Sequence, residues 1–340
     1  MIRVGILGMG MMGWLHAGQI LKLPGAELVA IADSTPERLI AKDSVVGNIT
    51  TGDGALDLSG VARHTDPCTL IADDGIDIVD VCLPTPFHAR YTVEALQAGH
   101  HVLCEKPMAL TLQDADQMIA AAKQHDRLLM VAQCIRFWPE YRFLRDQVRG
   151  GALGSLLSLD LWRTGARPTW SWQNWFLDPQ RSGGPLYDLH IHDVDYTNYL
   201  LGLPDRVQAS ARRSPATGAY DVVHALFTYD DGPQVHIHGG WSVAEAPFRA
   251  GYEAWFERGL IRFDGLANPP LMVYDSQGSA CSPEIEQGNA YYNEIAYFVD
   301  CVEHGQPPVE CPPESARDSL GLVKKEIAAS ESGQSIPGRN

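Results

Sequence analysis

The first 134 residues alternate short apolar runs with segments whose apolar positions recur at helical spacing. Runs rich in Val, Ile and Leu suit strands that are buried on both faces of a parallel sheet. Repeated βα units of this length predict an α/β fold with a doubly wound parallel sheet. Residues 48–60 have no clear period and are expected to form a loop. The predicted strands cover residues 3–7, 27–32, 61–64, 76–83, 101–104 and 127–134, and the predicted helices cover 14–21, 36–42, 67–73, 88–98 and 112–125.

The pattern changes near residue 150, where alternating segments separated by Gly, Pro and Asp turns replace the βα units. Because little helix separates these segments after residue 202, the second half is expected to form an antiparallel sheet. Its predicted strands cover 155–164, 206–213, 219–230, 233–240, 250–257, 260–264 and 270–274, and helices are predicted within 182–195 and at 290–304 and 313–332. The predicted domains therefore cover residues 1–132 and 133–340.

Composition narrows the class of protein. The chain has 340 residues, with 26 Lys and Arg against 42 Asp and Glu, and a formal net charge of −16. This acidity argues against nucleic acid or an anionic membrane as a partner, since both attract clustered positive charge. Seven cysteines without a C-x-x-C pair are expected to be reduced thiols. No apolar run reaches membrane-spanning length and no signal peptide is predicted, so the expected location is cytoplasmic.

A glycine-rich turn follows the first predicted strand. Residues 8–13 read G-M-G-M-M-G, a helix follows, and the second strand ends in Asp33 about 20 residues on. In this setting the glycines allow a tight turn, and backbone N–H groups approach a pyrophosphate at the helix N-terminus. The predicted cofactor contacts here are Gly8, Gly10, Met11, Met12, Gly13 and Asp33.

Asp33 also bears on which dinucleotide binds. Its carboxylate would accept hydrogen bonds from the adenosine ribose hydroxyls and repel the extra phosphate of NADP. We therefore expect NAD as the cofactor. NADP stays an alternative because Arg38, a further predicted cofactor contact, lies nearby in the sequence.

Two more turns, at residues 84–86 and 105–107, end parallel strands and are expected to face the cofactor. Lys106 is held between Glu105 and Pro107, and Pro107 is a candidate for a cis peptide bond. An ammonium group there can bind a substrate oxygen and stabilise alkoxide character during hydride transfer. The alternative is an ordinary surface lysine.

The predicted helix within residues 182–195 carries a second candidate for chemistry. Asp188, His192 and Asp195 fall at i, i+4 and i+7 and therefore share one face. A carboxylate one turn from an imidazole can orient a general base. The alternative is a polar helix face with a helix-stabilising Asp–His pair.

The same segment is a candidate metal site, since mixtures of carboxylates and imidazoles bind Zn²⁺ or Mn²⁺. Helical spacing splits the candidate ligands of the segment across different faces, so no metal is expected. These ligands are His190, His192, Asp193 and Asp195, with His236 and His238 from a predicted strand.

Tryptophan is concentrated in one short stretch, with four of the eight between residues 162 and 175. Indole faces stack on the C–H faces of sugars and close pockets against water. Trp175 is therefore predicted to contact substrate. A tryptophan-rich hinge between domains is the alternative for each member: Trp162, Trp170, Trp172 and Trp175.

Together these motifs resemble the Gfo/Idh/MocA family of nicotinamide-dependent oxidoreductases over essentially the whole chain. The resemblance implies an N-terminal Rossmann domain that binds NAD and a C-terminal α/β domain with a large open antiparallel sheet. It also implies that this sheet joins subunits into a homodimer or homotetramer. It rests on the glycine turn with Asp33, C-L-P-T-P-F-H at 82–88, C-E-K-P at 104–107 and W-F-L-D-P-Q-R-S-G-G-P-L-Y-D-L-H-I-H-D-V-D at 175–195.

The resemblance further implies roles for individual residues. Lys106 would bind the reacting oxygen, His192 would remove the hydroxyl proton, and Asp188 would orient His192. The nicotinamide half of the cofactor would contact Leu83, Pro84, Thr85, His88, Glu105 and Lys106. The substrate would also contact Arg136, Trp162 and Thr164.

The expected activity is NAD(H)-dependent oxidation of a secondary hydroxyl of a cyclic polyol or sugar, reversible as ketone reduction. Two alternatives stay open: an enzyme that recycles tightly bound NAD during glycoside cleavage or epimerisation, and a non-catalytic NAD or sugar sensor.

Two departures from the family pattern bear on these expectations. Gly183-Gly184-Pro185 replaces a frequent run of three glycines, and proline fits a helix start. R-F-W-P-E-Y at 136–141 differs from the R-R-Y/F-D of many inositol dehydrogenases, so the substrate stays open. An anionic substrate would suit Arg136, Arg163, Arg167 and Arg181.

Overall fold

The structure is a computed structural model, and it describes residues 1–40, 56–215 and 217–339. The chain divides into two compact units. The first unit comprises Met1–Cys134, Trp170–Trp172 and Asn289–Arg317, and the second comprises Ile135–Thr169, Gln173–Gly288 and Asp318–Asn340. The domain boundary after residue 132 stays a prediction. In the division into compact units, residues 289–317 belong to the first unit although they lie near the end of the chain.

The first unit contains a parallel sheet with the strand order β3-β2-β1-β4-β5-β6. The order reverses between β1 and β4, which is where doubly wound folds bind their ligands. The strands are apolar because both faces are covered, and every residue of β4 and β6 is buried. The strands are β1 (Ile2–Leu7), β2 (Ala26–Ala32), β3 (Ala62–His64), β4 (Ile78–Val81), β5 (His101–Glu105) and β6 (Leu129–Ala132).

Most of the helices lie where the sequence predicts them, but those at Pro139–Gly150 and Pro179–Ser182 were not predicted. Side chains cap several helices. The carboxylate of Asp66 accepts from the Cys68 N–H, and the hydroxyl oxygen of Thr111 accepts from the Asp114 N–H. Along the described chain the helices are α1 (Met11–Ile20), α2 (Pro67–Ile71), α3 (His88–Ala98), α4 (Leu112–Gln124), α5 (Pro139–Gly150), α6 (Pro179–Ser182), α7 (Ile191–Leu201), α8 (Ala290–His304) and α9 (Pro313–Ser332).

Two predictions fall partly outside the described residues. The helix predicted at 36–42 is a short 3₁₀ turn at Pro36–Leu39, and residues 41–42 lie outside the description. Of the loop predicted at 48–60, residues 48–55 also lie outside it.

The second unit is built on a mixed sheet with the order β14-β13-β12-β11-β7-β10-β9-β8-β15. Its pairings are antiparallel except that β10 runs parallel to β7. The strands are β7 (Leu156–Ala166), β8 (Arg206–Arg213), β9 (Tyr220–Thr228), β10 (Gln234–Ser242), β11 (Arg249–Phe256), β12 (Gly259–Asp264), β13 (Leu271–Asp275), β14 (Ala280–Cys281) and β15 (Ile336–Pro337).

One face of the mixed sheet is buried and the other is open within this chain. The helical segment 186–201 packs on β7, β9 and β10. On β10, Val235 and Ile237 are buried, whereas His236 and His238 are exposed. Strand alternation therefore separates an inner face from an open outer face.

The helices within the described ranges all fall short of the length and apolar character that crossing a membrane requires.

Candidate active site

The glycine turn after β1 fits a dinucleotide, and its glycines meet different demands. A Cβ at Gly13 would lie 1.9 Å from the Gly8 carbonyl oxygen, so the turn itself requires glycine there. A Cβ at Gly10 would meet nothing within 4 Å, which leaves open space beside the start of α1. No side chain caps this helix N-terminus. Backbone N–H groups that face open space at a helix start are the donors that a pyrophosphate needs.

Asp33 lies where an adenosine ribose is expected. Its Oδ2 accepts from the Met9 N–H at 2.9 Å, and its Oδ1 accepts from the Thr35 N–H at 2.8 Å. The Arg38 Nη1 lies 3.7 Å from Asp33 Oδ2, so a guanidinium stands beside the carboxylate. The backbone of the glycine turn thus orients the side chain predicted to select NAD.

His88 joins the two turns that end β4 and β5. Its Nδ1 lies 2.9 Å from the Pro107 carbonyl oxygen, and its Nε2 lies 2.7 Å from the Leu83 carbonyl oxygen. The side chain is buried, so both ring nitrogens are committed to protein carbonyls. His88 thus holds the two turns together, and its contact with the cofactor stays a prediction.

Lys106 lies in the turn that His88 holds. The Lys106–Pro107 peptide bond is cis, as the sequence suggested. The Lys106 N–H donates to Glu105 Oε2 at 2.9 Å, and the Glu105 side chain is buried. Burial alone would raise the pKa of Glu105, but the nearby His16 and the Lys106 charge lower it. Glu105 is therefore an ionised carboxylate directly before the lysine.

His16, on the buried side of α1, was missed by the sequence analysis. Its Nδ1 lies 2.8 Å from Asp80 Oδ2, and its Nε2 lies 3.2 Å from Glu105 Oε1. The Cys82 Sγ lies 3.4 Å from Asp80 Oδ1. The available signal was a histidine inside the apolar helix pattern W-L-H-A-G-Q-I, with an aspartate inside the apolar strand I-V-D-V. Buried polar groups in such settings need partners.

In the second unit, a π-helical turn at Leu186–His190 leads into α7. Asp188 and His192 are partly exposed, whereas Asp195 is buried. The three were predicted to share one face. A π turn holds more residues than an α turn, so residues beyond it are rotated relative to α-helical spacing. Asp188 and His192 are thus the accessible members of the predicted set.

The other ionisable residues of this segment have buried polar partners. Asp193 accepts two bonds of 3.0 Å from Arg163, and the His190 Nε2 lies 3.0 Å from Glu326 Oε2. These contacts use the groups that a metal at 190–195 would need. Among the described residues, the one group of three metal-ligating side chains that lies close enough is His16, Asp80 and Cys82.

Arg136 requires a correction. It was predicted to bind substrate, but its side chain is 1% exposed and donates to Asp195 from Nε at 2.8 Å and from Nη2 at 2.7 Å. The Ser319 hydroxyl donates to the same carboxylate at 2.8 Å. Arg136 therefore anchors α7 rather than contacting a ligand.

Trp162 and Thr164 require a second correction. Between them Arg163 points to the inner face, where it pairs with Asp193 of α7. Because successive strand residues alternate, Trp162 and Thr164 lie on the outer face, opposite the segment that carries Asp188 and His192. They are not placed to contact substrate bound near that segment within the same chain.

Trp175 and the remaining arginines were also singled out. Trp175 is half-buried and stacks on Phe176 with ring centroids 4.1 Å apart. Arg167 pairs with Asp221 and donates to the Ser214 hydroxyl, so with Arg136 and Arg163 it is engaged within the protein. This removes much of the support for an anionic substrate.

The predicted chemistry is divided between the two units. Lys106 belongs to the first unit, and Asp188 and His192 belong to the second. Their joint catalytic role stays a prediction.

Comparison with known proteins places this geometry in a family. The model described as "Oxidoreductase family, NAD-binding Rossmann fold" matches residues 2–133, and "GFO/IDH/MocA C-terminal domain" matches residues 141–262. Myo-inositol 2-dehydrogenase of Thermotoga maritima is 27% identical over 326 residues, which is 90% of each chain. The 1,5-anhydro-D-fructose reductase of Ensifer adhaerens is 26% identical over 318 residues, again 90% of each chain.

A solved structure has the same fold. The aldose-aldose oxidoreductase of Caulobacter crescentus, complexed with glycerol, superposes with a TM-score of 0.84 at 22% identity over 99% of each chain. The chain belongs to the Gfo/Idh/MocA family of oxidoreductases, and it is an NAD(P)-dependent dehydrogenase or reductase.

Proposed function

We propose that this enzyme oxidises a secondary hydroxyl of an uncharged cyclic polyol or sugar with NAD⁺, and reduces the corresponding ketone with NADH. The observation that carries the proposal is the selective exposure on segment 186–198. Asp188 and His192 are partly exposed, while His190, Asp193 and Asp195 are buried against Glu326, Arg163 and Arg136. A partly exposed imidazole four positions after a partly exposed carboxylate is suited to general-base catalysis.

Bound NAD⁺ supplies the acceptor for the hydride that leaves the alcohol carbon. His192 takes the proton of the reacting hydroxyl, so the loss of one hydride and one proton yields the ketone. Asp188 orients the imidazole and stabilises its cationic form. The Lys106 ammonium donates a hydrogen bond to the reacting oxygen and stabilises the charge that develops on it.

The relatives support the substrate class. One acts on myo-inositol and another on 1,5-anhydro-D-fructose, as their names state, and both are neutral rings with several hydroxyls. The arginines available to bind an anion are largely engaged with Asp193, Asp195 and Asp221. The half-buried Trp175 provides a ring face of the kind that stacks on sugars.

The test is a reduction assay with NAD⁺ and NADP⁺ over inositols, aldoses, anhydrosugars and sugar phosphates. We expect NAD⁺ reduction with a neutral ring, and a loss of about 10²–10⁴-fold in kcat for H192A and for K106A. NADH binding should stay nearly unchanged in both variants. K123A and H304A remove exposed residues and serve as matched controls.

Near-normal turnover in either H192A or K106A would contradict the assignment. Products formed without added NAD would point instead to an enzyme that recycles its cofactor. Tight NADH binding without turnover of any compound would favour the sensor.

We further propose that the open face of the mixed sheet joins copies of the chain. The solvent-exposed Val222 and Trp255 lie on this face, and apolar residues are common at subunit interfaces. Light scattering should give a dimer or tetramer, and W255E should lower the mass towards that of a monomer. A monomeric wild-type protein would contradict this arrangement.

A further inference from the structure

A buried charge cluster connects the helix of the glycine turn with the turn that carries Lys106. His16 is on α1, Asp80 is on β4 and Glu105 ends β5, and all three side chains are almost wholly inaccessible to solvent. The imidazole stands between the two carboxylates, 2.8 Å from Asp80 and 3.2 Å from Glu105. A buried ring with a carboxylate near each nitrogen is stabilised as a cation, because a nearby opposite charge favours the charged form.

Glu105 connects His16 with the backbone of Lys106. One carboxylate oxygen of Glu105 faces His16, and the other accepts the Lys106 N–H at 2.9 Å. Rotation of the carboxylate would break both contacts together. The imidazole of His16 therefore orients the group that fixes the backbone of Lys106.

We propose that His16, held as an imidazolium between Asp80 and Glu105, is a positioning residue that sets the Lys106 turn for catalysis. The proposal rests on the role assigned to Lys106 under the proposed function. His16 does not touch the reacting atoms in this scheme; it acts through Glu105.

The charges around the cluster are consistent with a cation at His16. Burial by itself lowers the pKa of His16, but Asp80 and Cys82 raise it well above its usual range. Glu294 of α8 is fully buried and neither oxygen has a hydrogen-bond partner among the described residues. Burial, with the nearby charges of Glu105 and Asp80, raises the pKa of Glu294 well above its usual range, although His16 opposes this. Glu294 is therefore neutral, which leaves His16 as the group that faces the ionised carboxylate of Glu105.

Two variants test the charge of His16 because they shift the pH profile of kcat in opposite directions. H16Q removes the cation, so the pKa of Glu105 rises and the acid limb moves to higher pH. D80N removes an anion, so His16 loses its proton at lower pH and the alkaline limb moves to lower pH. We expect kcat to fall about tenfold or more in H16Q while the Kd of NADH changes less than about twofold.

H100Q is the matched control. His100 is also buried in the first unit, but its ring nitrogens lie 2.8 and 2.7 Å from the carbonyl oxygens of Ile76 and Ile71. H100Q should lower the melting temperature without moving either limb of the pH profile. A merely structural role for His16 predicts that H16Q behaves as H100Q does.

A double variant tests whether His16 acts through Glu105. If it does, H16Q/E105Q should lose no more kcat than E105Q alone, because the shared route is already broken. Losses that multiply would overturn the proposal. If H16Q does not fold, the near-isosteric variant D80N serves as the test. An alkaline limb of the kcat profile that does not shift in D80N would overturn the proposal.

A substrate-free measurement separates this proposal from the proposed function. Hydrogen exchange of the Lys106 amide should be about tenfold faster in H16Q than in the wild type, and unchanged in H100Q. Unchanged exchange in H16Q refutes the positioning role even if the wild type is active. Absence of turnover in the wild type would refute the proposed function while this result still decides the role of His16.

Discussion

Replacing Asp195 by Asn tests a fully buried ion pair in the second unit. The Asp195 carboxylate accepts two bonds of 2.7 and 2.8 Å from Arg136, and both side chains are 1% exposed. Asn keeps the shape but removes the negative charge that faces the buried guanidinium of Arg136. Breaking a buried pair by removing one partner costs about 3–5 kcal/mol. A domain is stable by about 5–15 kcal/mol, so the expected loss is a large part of the total.

Urea unfolding followed by tryptophan fluorescence measures this loss. E94Q is the control, since it breaks the Arg90–Glu94 pair on an exposed helix face at a similar distance of 2.8 Å. Exposed pairs contribute little because water already solvates both charges. The charge-free double variant R136M/D195L should recover most of the stability that D195N loses, since no unpaired charge remains.

The double variant also decides the role of Arg136. If Arg136 anchors α7, R136M/D195L keeps the KM for substrate close to the wild-type value. If R136M/D195L is as stable as the wild type but has a higher KM for substrate, Arg136 contacts the substrate after all. A loss of stability in D195N no larger than that of E94Q would refute the argument from burial.

Three further predictions concern the first unit. G13A should disrupt the turn because its Cβ would lie 1.9 Å from a carbonyl oxygen. G10A should keep the wild-type melting temperature but weaken NADH binding, which a fluorescence titration measures. Tight NADH binding by G10A would contradict this prediction. The raised pKa of Glu294 makes it an acid that stays protonated when folded but ionises above about pH 4.5 when unfolded. E294Q should therefore match the wild type in unfolding free energy near pH 4 and exceed it increasingly towards pH 8, and a deficit at every pH would refute this. D33A should raise kcat/KM with NADP⁺ relative to NAD⁺, because Arg38 then stands beside the ribose without its carboxylate neighbour; an unchanged ratio would contradict the role of Asp33.

The parallel sheet and the turns after its strands were predictable because their signals are local. A buried strand has a continuous apolar run, and the glycine turn, Asp33 and Lys106 each follow such a run directly. The chemistry of each turn could therefore be inferred from residues a few positions apart.

The partners of the buried charges were not predictable in this way. His16 and Asp80 are 64 positions apart, and Arg136 and Asp195 are 59 apart, so no local pattern joins them. Trp162 and Thr164 lie on the outer face because Arg163, between them, points inward. An arginine is expected to point to solvent, and its inward direction could not be predicted without knowing that it pairs with Asp193. The π turn before α7 has no distinct apolar period, and it changed which residues share a face with Asp188.

The parallel pairing of β7 with β10 has a consequence for how the second unit is made. β7 is the middle strand of its sheet, yet its neighbours are β10 and β11. Ser158 pairs with Gln234. During synthesis, roughly 76 further residues must therefore be added before the first partner of β7 is available. Until then its two unpaired edges are accessible to other chains. Conditions that slow synthesis between these strands should therefore favour aggregation of this protein more than slowing directly after β1, because Ile2 of β1 pairs with Ala26 of β2 after about 24 residues.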